Sequence, residues 1–239
     1  MDSVTPPVQG ALRVHPAPDV LPPRPREGEP GRNRFDDPQG EFRVRYMADT
    51  LRGCLVELMA RWQEDLDAEE VLSAVDGLDE FGEEFPDPTR VEGIRHWAAS
   101  QRVGRGLIDH TATLVDVDRS PLLVELDKHP LVRDALRRSP LSGDDYVAHL
   151  DHAIIKLGGP VGRPITQAVS RAIREWHPEI GGLAYESRID RDERCWAVYE
   201  ETRVRFAESE PLDPANPSHR VAMASAAQLL QIALPPEWL

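Results

Sequence analysis

The stretch FRVRYMADTLRGCLVELMARW, residues 42–62, changes its hydrophobic period halfway along, and that change decides the fold. Phe42, Val44 and Tyr46 alternate with Arg43 and Arg45, which is the two-residue period of a strand with one buried face. After Ala48 the spacing lengthens. Leu51, Leu55, Leu58 and Trp62 fall on one helical stripe, and Asp49 or Thr50 stands where a cap belongs. Glu57 lies at the flank of that stripe, beside Gly53 and Arg61. The bland reading pairs it with Arg61 four residues on, in water. The functional reading turns it into a cleft, where partial desolvation strengthens its field.

Outward from this unit the chain is mixed. Eight prolines in the first thirty residues remove backbone donors and prevent regular helix, leaving ALRV, 11–14, as the one short strand there. Asp87-Pro88 predicts a helix start with Val91, Ile94 and Ala98 inward, and Pro130 predicts another. RGLID and ATLVDV, between them, read as strands. RPITQAVSRAIREW, 163–176, places Ile165, Val169, Ile173 and Trp176 at helical spacing, and Gly181-Gly182 is expected to stop that helix. LAYESRI and CWAVYEETRVRF are further strands, and Asn216-Pro217 opens a last helix towards Leu234. Strands and helices do not alternate regularly, so the expected class is α+β, in one domain, rather than a doubly wound parallel fold.

Composition excludes several functions. With 42 acidic against 28 basic residues the net charge is −14, which disfavours a broad basic surface for nucleic acid or an anionic membrane. The N-terminus MDSVTPPVQG lacks the pattern of a signal peptide, and no apolar run approaches transmembrane length. Two cysteines, Cys54 and Cys195, without a CxxC pattern, fit a reduced, cytoplasmic setting.

Other candidates are weighed by residue type. Arg34 sits in RFDDPQG, where Asp36, Asp37, Pro38 and Gly40 enforce a tight path; bonding to its own aspartates is the plain alternative. Tyr46 is by default a core tyrosine. Ser187 ends an apolar strand before a charged turn, and no GxSxG elbow surrounds it. Arg188 could bind an anion or pair with Asp190. His149 and His152 have HxxH spacing, but no HExxH or cysteine partner accompanies them, so no metal is expected. GGPVGRP, 158–164, matches no phosphate-loop pattern and reads as a plain loop or at most a supporting phosphate contact. DRDER, 190–194, reads as a hairpin tip in water.

Taken together, Arg34-Phe35 in a turn, a strand ending Tyr46-x-Ala48, a helix with Glu57, and the strand end Tyr185 to Arg188 resemble the RES-domain family, named for an Arg, a Glu and a Ser. TQAVSRAI, 166–173, is similar to the helix before the family's serine strand. Phe35-Asp36 stands where many members carry Trp-Asn, and the middle of the chain is longer than in compact members. The resemblance implies an ADP-ribosyltransferase-like fold of mixed sheets with surrounding helices. It divides the chain into a Pro-rich segment, 1–30, and a RES-like domain, 31–239, with a helical middle over about 65–160. It implies an NAD-consuming toxin of a toxin–antitoxin system that breaks the nicotinamide–ribose bond, by glycohydrolysis or phosphorolysis, with NAD as substrate and no further cofactor. By position the catalytic residues would be Glu57, Arg34, Tyr46 and Ser187, with Arg34, Tyr46 and Arg188 holding the dinucleotide. A helix-turn-helix antitoxin and a homodimer are the expected partners. Transfer of ADP-ribose to a protein, or an inactive binding module, are the alternatives.

Overall fold

Thr50 settles where strand gives way to helix. Its backbone is extended, and its Oγ1 accepts the Gly53 amide at 2.8 Å, satisfying a donor that the first helical turn leaves open. Strand β3 (Val44–Ala48) and helix α1 (Leu51–Met59) are therefore nearly continuous. The computed structural model describes residues 3–24, 31–62, 88–143 and 145–238. Asp87, and residues 65–87 of the region read as helical, lie outside them.

The remaining strands are β1 (Ser3–Val4), β2 (Ala11–His15), β4 (Arg102–Ile108), β5 (Thr113–Asp116), β6 (Ile180–Glu186), β7 (Arg194–Tyr199), β8 (Val204–Phe206) and β9 (Glu210–Pro211). The helices are α2 (Pro88–Ala99), α3 (Ser120–Leu126), α4 (Pro130–Arg138), α5 (His152–Lys156), α6 (Gly159–Trp176) and α7 (Pro217–Leu230). The strands form one mixed sheet in the order β1-β5-β6-β7-β3-β2-β4-β8, with β9 also on β4. Among the described residues only β5 and β6 run parallel, joined by a crossover through α3 to α6. This is an α+β single domain, as the irregular alternation of elements predicts.

One join in the sheet is weak. β3 pairs with β7 over five residue pairs and β2 with β4 over five, but β2 meets β3 only at Leu12 and Ala48. A continued antiparallel register would set Arg13 opposite Met47 and Val14 opposite Tyr46. Instead the two strands splay apart there, and the gap between them becomes a wall of the cavity described below.

The two faces of the sheet are filled differently. On one face α1, α6 and α7 cover a large core that includes Phe35, Leu55, Met59, Ile165, Ile173, Tyr199 and Met223. On the other, Ala11, Met47, Ile108, Leu114, Ala184, Trp196 and Val198, from strands that neighbour one another in the sheet, form a smaller cluster. Arg45, read as solvent-facing, is on this side and only 6% exposed, its guanidinium 5.6 Å from the Phe206 ring. The period-2 pattern misleads because β3 is central and both of its faces are covered.

Two boundaries differ from expectation. Helix α6 starts at Gly159 rather than Arg163, because Pro160 occupies the first turn, where its missing N–H costs nothing. Gly159 there has φ +63°, a conformation that glycine adopts without strain. Helix α6 ends at Trp176, before Pro178, and Gly181-Gly182 lies inside β6. These glycines allow close strand approach: a Cβ on Gly182 would stand 2.7 Å from the Ala197 carbonyl oxygen.

Candidate active site

A cavity of about 600 Å³ opens where β2 and β3 part, a size usual for small-ligand sites. Arg34, Tyr46, Glu57 and Arg188 all line it, together with Tyr185, Cys54 and Cys195. Three segments close in sequence and a fourth, Tyr185 to Arg188, far from them therefore converge on one space.

The loop carrying Arg34 is fixed from several directions. Asp36 Oδ2 accepts the amide of Asn33 at 2.9 Å, and the Tyr46 hydroxyl donates to Asp36 Oδ1 at 3.0 Å while accepting the Phe35 amide at 2.9 Å. From α6, Gln167 Nε2 donates to the carbonyls of Gly31 at 2.6 Å and Asn33 at 3.0 Å. The aspartates thus bond the loop backbone and Tyr46, not Arg34. Arg34 itself donates one Nη2 bond to the Ile155 carbonyl at 2.6 Å and lies over the rings of Phe35 and Tyr185. Its Nε and Nη1 are buried without a partner among the described residues. Such donors are rare in native structures and mark where an acceptor is missing.

Glu57 does not pair with Arg61. Its Oε1 accepts the Ser187 hydroxyl at 2.6 Å, while the same Ser187 Oγ accepts the amides of Ile189 at 3.2 Å and Asp190 at 3.3 Å. Ser187 is fully buried behind the carboxylate rather than on the cavity wall. Its hydroxyl orients Glu57, leaving Oε2 without a hydrogen bond among the described residues. The DRDER turn, read as a tip in water, folds back to brace this arrangement. Arg52 pairs with Asp190 and, at 2.8 Å, with Glu193, which is 4% exposed and takes the Thr50 hydroxyl at 2.5 Å. Gly53 leaves room for this carboxylate, since a Cβ there would lie 2.6 Å from Glu193 Oε2 and push it off Thr50.

Burial, with the Asp36 charge next, raises the Tyr46 phenol well above its ordinary value, so it stays protonated and keeps donating to Asp36. Burial likewise pushes the Cys54 thiol up to about 12, and burial followed by the Glu57 charge raises Cys195. At pH 8 the Cys54 thiolate fraction is then about 10⁻⁴, too small for nucleophilic chemistry. Native protein treated with iodoacetamide at pH 8 is expected to keep both thiols, and urea-unfolded protein to lose both. Rapid alkylation of either in the native state contradicts this.

Arg188, exposed at the wall, lies against the start of α6: a Cβ on Gly158 would stand 2.2 Å from its Nη1. It does not pair with Asp190, which Arg52 holds. Gly158, Gly159 and Arg163 also line the cavity, so GGPVGRP belongs to the site and not to a plain loop. Arg13, Arg32 and Arg61 complete a lining that, among the described residues, sets six arginines against one carboxylate, Glu57, in a chain of net charge −14. Concentrated positive charge in a concave wall attracts an anion, and a single carboxylate in its midst suits a cationic group on the same ligand. Of these residues sequence reasoning missed Arg13, Arg32, Arg61 and Arg163. Arg32 lies two residues from Arg34, and Arg163 within the glycine-rich stretch, which are the local signals that pointed to them.

His149 and His152 go to different partners, His149 Nδ1 to Asp127 Oδ2 at 2.8 Å and His152 Nε2 to Ser120 Oγ at 2.8 Å. Among the described residues no cluster of His, Cys, Asp and Glu suits a metal ion, and no helix is long and apolar enough to cross a membrane.

Comparison with known proteins gives one family model, described as RES domain, matching residues 12–220. The match takes in the strand, the helix, the Arg34 loop and the Ser187 turn. No curated protein and no solved structure matches.

Proposed function

The chain belongs to the RES-domain family, and from that premise we propose that it consumes NAD by cleaving the nicotinamide–ribose bond. One observation carries this reading: Glu57, with one carboxylate oxygen held by Ser187, and Arg34, with two nitrogens that have no partner among the described residues, line the same cavity. A dinucleotide presents the matching pair, an anionic pyrophosphate and a cationic pyridinium ribose. Arg34 forks onto the pyrophosphate, where a planar guanidinium suits paired oxygens. Tyr46 and Tyr185 offer aromatic surface for the nicotinamide ring.

The chemistry asks little else of the protein. As the C1′–N bond breaks, its electron pair leaves with the pyridinium nitrogen, so nicotinamide departs neutral and needs no general acid. Positive charge builds on the ribose ring, and the Glu57 carboxylate stabilises that oxocarbenium-like state. Water or phosphate then adds through oxygen at C1′. Ser187 acts by holding Oε1, so Ser187→Ala is expected to lower kcat about tenfold with little change in KM, the effect of losing one bond to a charged group. A larger rise in KM than fall in kcat would place Ser187 in binding instead.

The assay is direct. Purified protein is incubated with NAD, with and without phosphate, and nicotinamide is followed. Release is expected, with ADP-ribose or its 1-phosphate as co-product. A label retained on protein would support ADP-ribose transfer, and no release under any condition would leave an inactive binding module. As a toxin the protein is expected on induction to stop growth and lower cellular NAD, and to be neutralised by a helix-turn-helix antitoxin. Unchanged growth with folded protein present removes the toxin role.

A further inference from the structure

We propose that the cavity favours a dinucleotide carrying a third phosphate, a monoester on the adenosine ribose, and that Arg32, Arg163 and Arg188 read it. This rests on the dinucleotide reading above and goes beyond it in naming the substrate class. The ground is a charge imbalance. NAD brings two pyrophosphate charges and one pyridinium cation. Arg34 meets the first, and Glu57 meets the second. Of the other five arginines, Arg13 donates to the carbonyls of Pro18 and Val20 and Arg61 lies over the rings of Trp62 and Trp97, whereas among the described residues Arg32, Arg163 and Arg188 form no ion pair or side-chain hydrogen bond.

Elsewhere this acidic chain pairs its arginines freely. Arg43 bonds Glu200, Arg52 bonds Glu193, Arg171 bonds Glu41 and Glu175, and Arg174 bonds Glu201. Other exposed arginines, Arg137 and Arg220 among them, also have no partner among the described residues, but Arg32, Arg163 and Arg188 do so on the wall of one concavity, which suits an anion from outside.

The three line one cavity, on elements tied to the same helix. Arg32 is in the loop that Gln167 grips through the carbonyls of Gly31 and Asn33. Arg163 is one helical turn before Gln167 on α6 and lines the same cavity as Arg32. Arg188 packs on Gly158, the cap of the same helix. A phosphate monoester carries nearly two charges at neutral pH and accepts forked guanidinium bonds, whereas a bare ribose hydroxyl leaves the three cations repelling one another.

The test separates this from the catalytic reading by using ligands without a nicotinamide bond. Calorimetry with the full chain compares adenosine 5′-monophosphate with adenosine 2′,5′-bisphosphate. The bisphosphate is expected to bind about tenfold tighter or more, the effect of at least one added charged hydrogen bond. The advantage should shrink in Arg163→Gln and Arg188→Gln and persist in Arg95→Gln, a surface control on α2. Nicotinamide release should show the same order, with kcat/KM higher for NADP than for NAD. Equal binding of the two nucleotides, with release from NAD at least as efficient, overturns the proposal and leaves NAD cleavage standing. Tighter bisphosphate binding with no release from either dinucleotide does the reverse. If millimolar inorganic phosphate abolishes the bisphosphate's advantage while adenosine 5′-monophosphate binding is unchanged, the subsite serves free phosphate and the ribose-ester assignment fails.

Discussion

Glu57→Gln is expected to lower kcat for nicotinamide release by about 10²–10³, with KM for NAD nearly unchanged. The substitution keeps the shape of the side chain and one oxygen for the Ser187 hydroxyl, now 2.6 Å from Oε1, so the site should stay assembled. What it removes is negative charge, needed only as the ribose becomes cationic. An interaction made in the transition state and not in the ground state appears in kcat and in kcat/KM alike. Nothing in the fold depends on the charge, because Glu57 forms no ion pair among the described residues. Circular dichroism and Tm should therefore match the wild type. Release by the variant at the wild-type rate would take Glu57 out of the mechanism. A loss matched by unfolding would show only that the helix had been disturbed.

The strand-to-helix change at residues 42–62 was legible because each half obeys one period and Thr50 supplies the cap between them. The convergence of Arg34, Tyr46 and Glu57 was legible through the family resemblance, not through any spacing. Ser187 shows the limit. Sequence placed it correctly at a strand end, but a serine bonded to a ligand and a serine bonded behind a carboxylate look alike until the hydroxyl's direction is known. The splay between β2 and β3 had no local signal either, since it depends on where a ladder stops between segments some thirty residues apart. Arg45 was misjudged for a related reason: alternation reports two faces of a strand, and says nothing of whether the second face is covered by other strands.

Arg34→Met is expected to raise KM for NAD about a hundredfold while leaving Tm equal to or above that of the wild type. The first half follows from the charged hydrogen bonds, at about 1.5–3 kcal/mol each, that the Arg34 guanidinium, at the cavity wall, would make to a pyrophosphate. The second half follows from its buried Nε and Nη1 in the ligand-free protein. A buried guanidinium with unpartnered donors opposes folding, and an apolar side chain of similar length between Phe35 and Tyr185 removes that opposition. The Nη2 bond to the Ile155 carbonyl is lost, which limits the gain. Arg34→Lys is the informative companion: a single ammonium can meet the Ile155 carbonyl or the pyrophosphate, and lacks the planar fork that serves both. It should bind NAD nearly as poorly as the methionine variant despite keeping the charge. If instead lysine restores KM, the site needs only a positive point charge. If methionine lowers Tm by many degrees, Arg34 is a structural strut whose open donors are met in the folded protein itself, and the pyrophosphate assignment loses its physical basis.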